Sequence, residues 1–252
     1  AYGVGATLGP LIVIAVSSWR LALGLSGVIV IAAALVALRS QRAWPGITPH
    51  VRKTGSRPPF TPAALSLGAF CAFVGMEVTT GQWAFTQLTE GRNAGDTPAA
   101  IAVALFWGGL AVGRLALVRP SARDLADRVG LSRLALVSLC CLASLAFTPP
   151  GFAVVGLAFS GLTLAPIVPT LFASTAARVG ADHAQRLAVF QLLATNLGGI
   201  GLPFLTGQLV DAMQPSVIVM VIVTAAAIGT LLLGAIERLP ILTNVGPSHV
   251  PR

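Results

Sequence analysis

Glu77 is an acid set in an apolar run. Residues 74–83 read VGMEVTTGQW, and the apolar stretch 65–73 leads into them. The chain has seven other acids, Glu90, Asp96, Asp124, Asp127, Asp182, Asp211 and Glu237. All seven fall in connections between apolar runs or at their ends. An ionised side chain at mid-bilayer costs at least about 2.5–3.5 kcal/mol, so such residues face a water-filled cavity or a partner. Burial disfavours the charged carboxylate, which would let Glu77 gain or lose a proton at working pH. Three roles are open to it. It could couple protons or accept a hydrogen bond from a solute hydroxyl. It could be a neutral acid bonded to a backbone carbonyl at a kink between Gly75 and Gly81. It could also sit wetted near the outer end of its helix.

Other polar groups cluster around the same chemistry. Thr80 lies three residues beyond Glu77, on the same helical face. Trp83 could stack on a sugar ring or anchor the helix at the membrane interface. Gln191, Thr195 and Asn196 offer groups that donate and accept hydrogen bonds, as a hydroxyl-rich ligand requires. Helix–helix bonding is the alternative for them, at about 0.6 kcal/mol per bond. Trp107 is a further cavity candidate, while Ser160, Thr163 and Thr170 suit packing. Arg114 and Asp127, with Arg128 and Gly130 beside them, could form a cytoplasmic latch that holds one conformation and breaks in another.

No other catalytic chemistry is legible. There is no phosphate loop, no HExxH and no nucleophile elbow, and neither a metal nor a cofactor is expected. His50, His183 and His249 fall in connections or the tail. Cys71, Cys140 and Cys141 lie in apolar runs, as small buried hydrophobes do. The expectation is a protein that is not an enzyme.

The elements that must position these residues are membrane spans. Of 252 residues, 55% are hydrophobic and 10% charged, with mean hydropathy +0.85. Soluble domains carry about 25% charged residues, so the surface needed to face water is missing. A crossing helix needs about 20 mostly apolar residues. The expected fold is therefore an all-α multi-pass bundle with about eight spans, near residues 2–17, 21–38, 62–86, 99–118, 131–148, 151–173, 187–209 and 215–236. Gly5, Gly9, Pro10, Gly81, Pro166, Pro169, Gly198, Gly199 and Pro203 mark close packing or kinks within them.

Charge sets the orientation. Fourteen of the sixteen Lys and Arg residues fall at alternate connections or in the tail, and only Arg20 and Arg92 fall on the other side. Positive residues stay in the cytoplasm. The net charge of +8 is thereby accounted for without nucleic acid. The long basic, Pro-rich segment 39–61 and the 239–252 tail are expected in the cytoplasm, with the bundle in the plasma (cell inner) membrane. Segments one and seven share Gly-x4-Pro, at Gly5–Pro10 and Gly198–Pro203. Each precedes one last apolar helix, so 1–38 is similar to 187–236, as a parallel repeat would be.

Several stretches together resemble the major facilitator superfamily. Leu125-Ala126-Asp127-Arg128-Val129-Gly130, followed by Arg133, is similar to its cytoplasmic L-A-D-R-x-G-R-R signature. Arg123 stands where the family has its leading Gly, and the basic residue after Gly130 is displaced. Gly5-x3-Gly9-Pro10 resembles the end of an antiporter motif. VGMEVTTGQW, LFWGGLAVGR, GLTLAPIVPT and NLGGIGLPFLTGQLVD look similar to fucose-permease-like transporters, with Glu77, Gly81 and Trp83 in matching places.

The resemblance implies two six-helix halves joined by a cytoplasmic linker. Residues 1–38 would be the last two helices of the N-terminal half, 39–61 the linker and 62–238 the C-terminal half. The chain would then be an N-terminally truncated fragment, its missing helices being partners within the same protein. The implied function is secondary transport of a small polar solute, such as a sugar, by alternating access, with protons as coupling ion. A drug-efflux antiporter of the same superfamily is the runner-up. A non-transporting sensor or assembly partner is the third possibility.

Overall fold

The computed structural model describes residues 19–40 and 59–240. The first expected span, with Gly5, Gly9 and Pro10, lies outside the described residues, as do most of the linker and the tail with His50 and His249. The helices are α1 (Trp19–Ser40), α2 (Phe60–Thr89), α3 (Asp96–Ala116), α4 (Pro120–Val129), α5 (Leu131–Phe147), α6 (Pro150–Leu164), α7 (Ile167–Ala173), α8 (Thr175–Val179), α9 (Ala181–Ala212) and α10 (Val217–Glu237). No strand occurs among the described residues. In hydrocarbon a helix satisfies its backbone internally, which an open sheet cannot do.

Local chemistry sets the helix boundaries. Pro120 and Pro150 stand at the first turns of α4 and α6, where a missing N–H costs nothing. Asp96 opens α3, at the end where the helix dipole favours an acid. The expected span 151–173 is interrupted at Ala165–Pro166, giving α6 and α7. Each proline ring there clashes with the carbonyl four residues earlier, at Leu162 for Pro166 and at Ala165 for Pro169. By contrast α9 runs unbroken through Pro203.

Five stretches are long and apolar enough to cross a membrane: α2, α3, α6 with α7, α9 and α10. The bent pair of α4 and α5, at 82°, passes the same test only when taken together as one span. α5 alone has 17 residues, the lower limit for a span at about 17. The segment 119–133, expected as a plain connection, contains the ten-residue α4, which buries only Ala126. α1 has 22 residues, with no charge between Arg20 and Arg39.

The spans pack as two interleaved triplets. α2 packs against α9 and α10, α6 against α3 and α5, and α5 against α10. Exchanging α2, α3 and α5 for α6, α9 and α10 turns this set of pairs into itself. The two principal crossings are made by glycine. A Cβ on Gly198 of α9 would overlap the Cys71 carbonyl of α2, and one on Gly161 of α6 would overlap the Phe106 carbonyl of α3. Small residues of this kind let membrane helices approach closely.

Contacts identify the two ends. Ser132 at the start of α5 binds Glu237 at the end of α10. Arg178 of α8 donates to the Ile236 carbonyl at 2.7 Å. Ala63 near the start of α2 packs with Val179 and Leu187. This basic end therefore gathers the starts of α2, α5 and α9 and the end of α10. At the opposite end Arg92 donates to the carbonyls of Leu145, Ala146 and Thr148. Those are orphan acceptors at the C-terminus of α5, where a cation also suits the helix dipole.

Candidate functional site: a buried ion pair at a cavity

Glu77 stands 17 residues into α2, about 25 Å along the helix from its start and roughly 18 Å from its other end. It is buried. Arg114 lies near the end of α3. Helical side chains lean toward the N-terminus of their own helix. On the oppositely directed α2 and α3, the two therefore lean toward each other. Arg114 Nη2 lies 2.8 Å from Glu77 Oε2 and 3.0 Å from Oε1. Glu77 is 9% exposed as a side chain and Arg114 35%. The pair thus has an enclosed acid and a base that is partly open.

The open side of Arg114 faces a cavity of about 560 Å³. Arg123 and Asp127 of α4 and Pro169 and Thr170 of α7 line it with Arg114. Arg123 is held at the wall by its Nε, which donates to the Leu117 carbonyl at 2.5 Å. The cavity lies at the basic end, under the break between α6 and α7. Broken helices at such sites turn backbone groups toward a ligand.

The latch expected between Arg114 and Asp127 is drawn differently here. Arg114 engages Glu77, and Asp127 lies across the cavity on α4. Arg128 is exposed on the same helix. Gly130 makes the corner between α4 and α5 with φ 85° and ψ 140°. Gly180 repeats it before α9 with φ 86° and ψ 148°. Backbone at these angles is open almost only to glycine. Beyond the Gly130 corner, Glu237 accepts bonds from the Ser132 N–H at 3.0 Å and hydroxyl at 2.5 Å, neutralising the first turn of α5. Burial lowers the pKa of neighbouring Arg178 from its ordinary value, with the Glu237 charge opposing.

The remaining expected residues are not gathered around Glu77. Trp107 is 5% exposed, lies over Gly81 and meets Phe106 edge-to-face. Trp83 donates from Nε1 to the Pro203 carbonyl at 3.2 Å and packs on Gly207, pinning α2 to α9. Gln191 is fully buried, and its amide donates to Ser66 and Thr175 hydroxyls at 2.8 Å each. It ties α2, α8 and α9 near the basic end. Thr195 and Asn196 bond back to the Gln191 and Leu192 carbonyls of their own helix. Gly199 meets Val74 and Val78 at ordinary contact distance. Ser160 bonds Ser138 of α5 at 3.1 Å, and Thr163 bonds carbonyls of its own helix.

Thr80 follows Glu77 on the buried face of α2, and Gln87 continues that face toward the far end. The Thr80 hydroxyl and the Gln87 carbonyl oxygen have no hydrogen-bond partner among the described residues. Gln87, Arg123 and Thr170 were not singled out from sequence as ligand-facing groups. The signal for Gln87 was its seven-residue spacing from Thr80, which returns to the same helical face. Comparison of the chain with protein-family models, with curated proteins and with solved structures gives no match.

Proposed function

We propose that the protein is a membrane transporter of the major facilitator type, moving a small polar solute of the sugar class by alternating access. The observation that carries this is the Glu77–Arg114 pair, an enclosed acid bound to a partly open base on the wall of a cavity at the basic end. An intramembrane acid and base turned toward a cavity mark solute or proton paths in transporters. Further support comes from the two interchangeable helix triplets, since inverted three-helix repeats build each half of this superfamily. The stretch Leu125–Gly130, which resembles the superfamily's cytoplasmic signature, ends in a glycine corner and supports the same reading.

On this basis the basic end and the C-terminus face the cytoplasm of the cell inner membrane. Helices α2–α10 form one wall around the solute, and the N-terminal helices of the same protein form the other. Lipid, solute and protons are the partners, with no cofactor and no enzymatic step. The test is flux into vesicles carrying the complete gene product, with glucose, glucuronate and a cationic dye as probes. Saturable uptake of one of the two sugars is expected. Dye movement alone would indicate an efflux antiporter, and movement of none of the three would indicate a non-transporting protein.

A further inference from the structure

The Glu77–Arg114 contact leaves half of the guanidinium uncommitted. Both carboxylate oxygens share one nitrogen, Nη2. Nε is buried without a partner, and Nη1 makes no hydrogen bond to the described residues. Arginine binds carboxylate and phosphate best through two parallel N–H donors. Glu77 does not use Arg114 in that way, so an oxygen anion reaching it through the cavity finds Nη1 available, and Nη2 once Glu77 releases it.

The charges around the cavity give the same answer. Arg114 and Arg123 supply two positive charges, and Asp127 and Glu77 two negative ones. The set is neutral while Glu77 is ionised. It carries one excess positive charge once Glu77 takes a proton and releases Arg114. α8, α9 and α10, which also pack on α2, carry ionisable residues at Arg178 of α8 and, near the ends of α9 and α10, at Asp182, His183, Arg186, Asp211 and Glu237. Nothing from those helices replaces the missing negative charge at mid-span.

We infer that the cavity binds a solute bearing a carboxylate or phosphate, which takes Arg114 from Glu77 as Glu77 takes a proton. This rests on the transport function proposed above and gives the solute its chemical class: an acidic sugar-like molecule and not a neutral one. The step balances. The proton adds to a Glu77 carboxylate oxygen, a singly charged anion, either a carboxylate or a monoanionic phosphate, pairs with the guanidinium, and the net charge of the site is unchanged. A buried carboxylate without its cation is costly unless neutralised, so anion and proton enter together.

The experiment compares glucuronate with glucose, which share the pyranose ring and differ only in the carboxylate at C6, using the complete gene product in detergent and in vesicles. Glucuronate is expected to bind at least about tenfold more tightly than glucose, and its entry to carry protons in. Glu77→Gln should bind glucuronate with no pH dependence and move no protons with it. Arg114→Gln should lose glucuronate binding. The Glu77→Gln/Arg114→Gln pair, which leaves neither charge of the pair, should lose it too and covers a fold failure of the single change. Equal binding of glucose and glucuronate, or glucuronate binding that survives in the double variant, overturns the inference. So does occupancy by phosphatidylglycerol alone, with neither glucuronate nor inorganic phosphate bound. Glucose flux without glucuronate flux would sink the inference and leave the transport function standing. Glucuronate binding without flux of either solute would do the reverse.

Discussion

Arg114 of α3 places Nη2 2.8 Å from Oε2 of Glu77, an acid enclosed within α2. The contact joins two helices that also meet where Trp107 lies over Gly81. Taking two charges out of water is expensive, and their attraction offsets this only while both remain.

Removing one partner should therefore be far worse than removing both. Arg114→Gln is expected to destabilise the protein by about 3–5 kcal/mol, because Glu77 is left buried and unpaired. Glu77→Gln/Arg114→Gln should recover most of that loss. Unfolding in detergent, followed for both single variants and the double variant, measures the coupling. Additive losses would show that the pair is not coupled.

The helix crossings make a steric prediction. Gly198→Val drives a side chain into the Cys71 carbonyl, and Gly161→Val into the Phe106 carbonyl. Backbone cannot yield as a flexible side chain does, so each should cost at least about 1–3 kcal/mol. Gly201, which has open space around its Cβ position, is the control. Gly201→Ala should leave the melting temperature within a degree or two of wild type, as a surface change of about 0.5 kcal/mol would.

The Gly130 corner is a conformational prediction. At φ 85° and ψ 140°, Gly130→Ala should cost about 1–3 kcal/mol in strain. The loss should appear as faster proteolysis at the α4–α5 junction, with the remaining spans intact. Unchanged cleavage would mean that the corner tolerates a side chain.

Much of this architecture was legible in the sequence. Apolar runs with alternating basic connections located the spans from 62 onward, because hydrocarbon leaves the backbone few choices. The helix α4 and the glycine corner after it were not read from the sequence, where 119–133 stood only as a basic connection. The partner of Glu77 was harder to read. Arg114 lies 13 residues from Asp127 and 37 from Glu77, so proximity along the chain favoured the wrong neighbour for this conformation. The clue was that Glu77 is the acid, and Arg114 the base, set furthest into adjacent spans of opposite direction. The sequence left Gln191 open as either a ligand group or a helix–helix tie, because composition cannot tell which face of a helix is packed. Ser66 and Thr175, its partners, come from two other elements, and only the assembled bundle brings them together.

Gln191 accordingly yields a stability prediction separate from transport. Gln191→Leu strands the Ser66 and Thr175 hydroxyls and should cost about 1–3 kcal/mol. The solute concentration for half-maximal uptake should not move. A large shift in that concentration with stability unchanged would return Gln191 to the binding site.

The account depends on a water-filled cavity at the basic end, with Arg114 on its wall. The most direct test replaces Thr170 by Cys after Cys71, Cys140 and Cys141 have been changed to Ala, in the complete gene product in sealed vesicles of known orientation. A membrane-impermeant maleimide should label position 170 from the side that carries the basic connections and not from the other. Failure to label from that side, or equal labelling of Thr170→Cys from the opposite side, would contradict it.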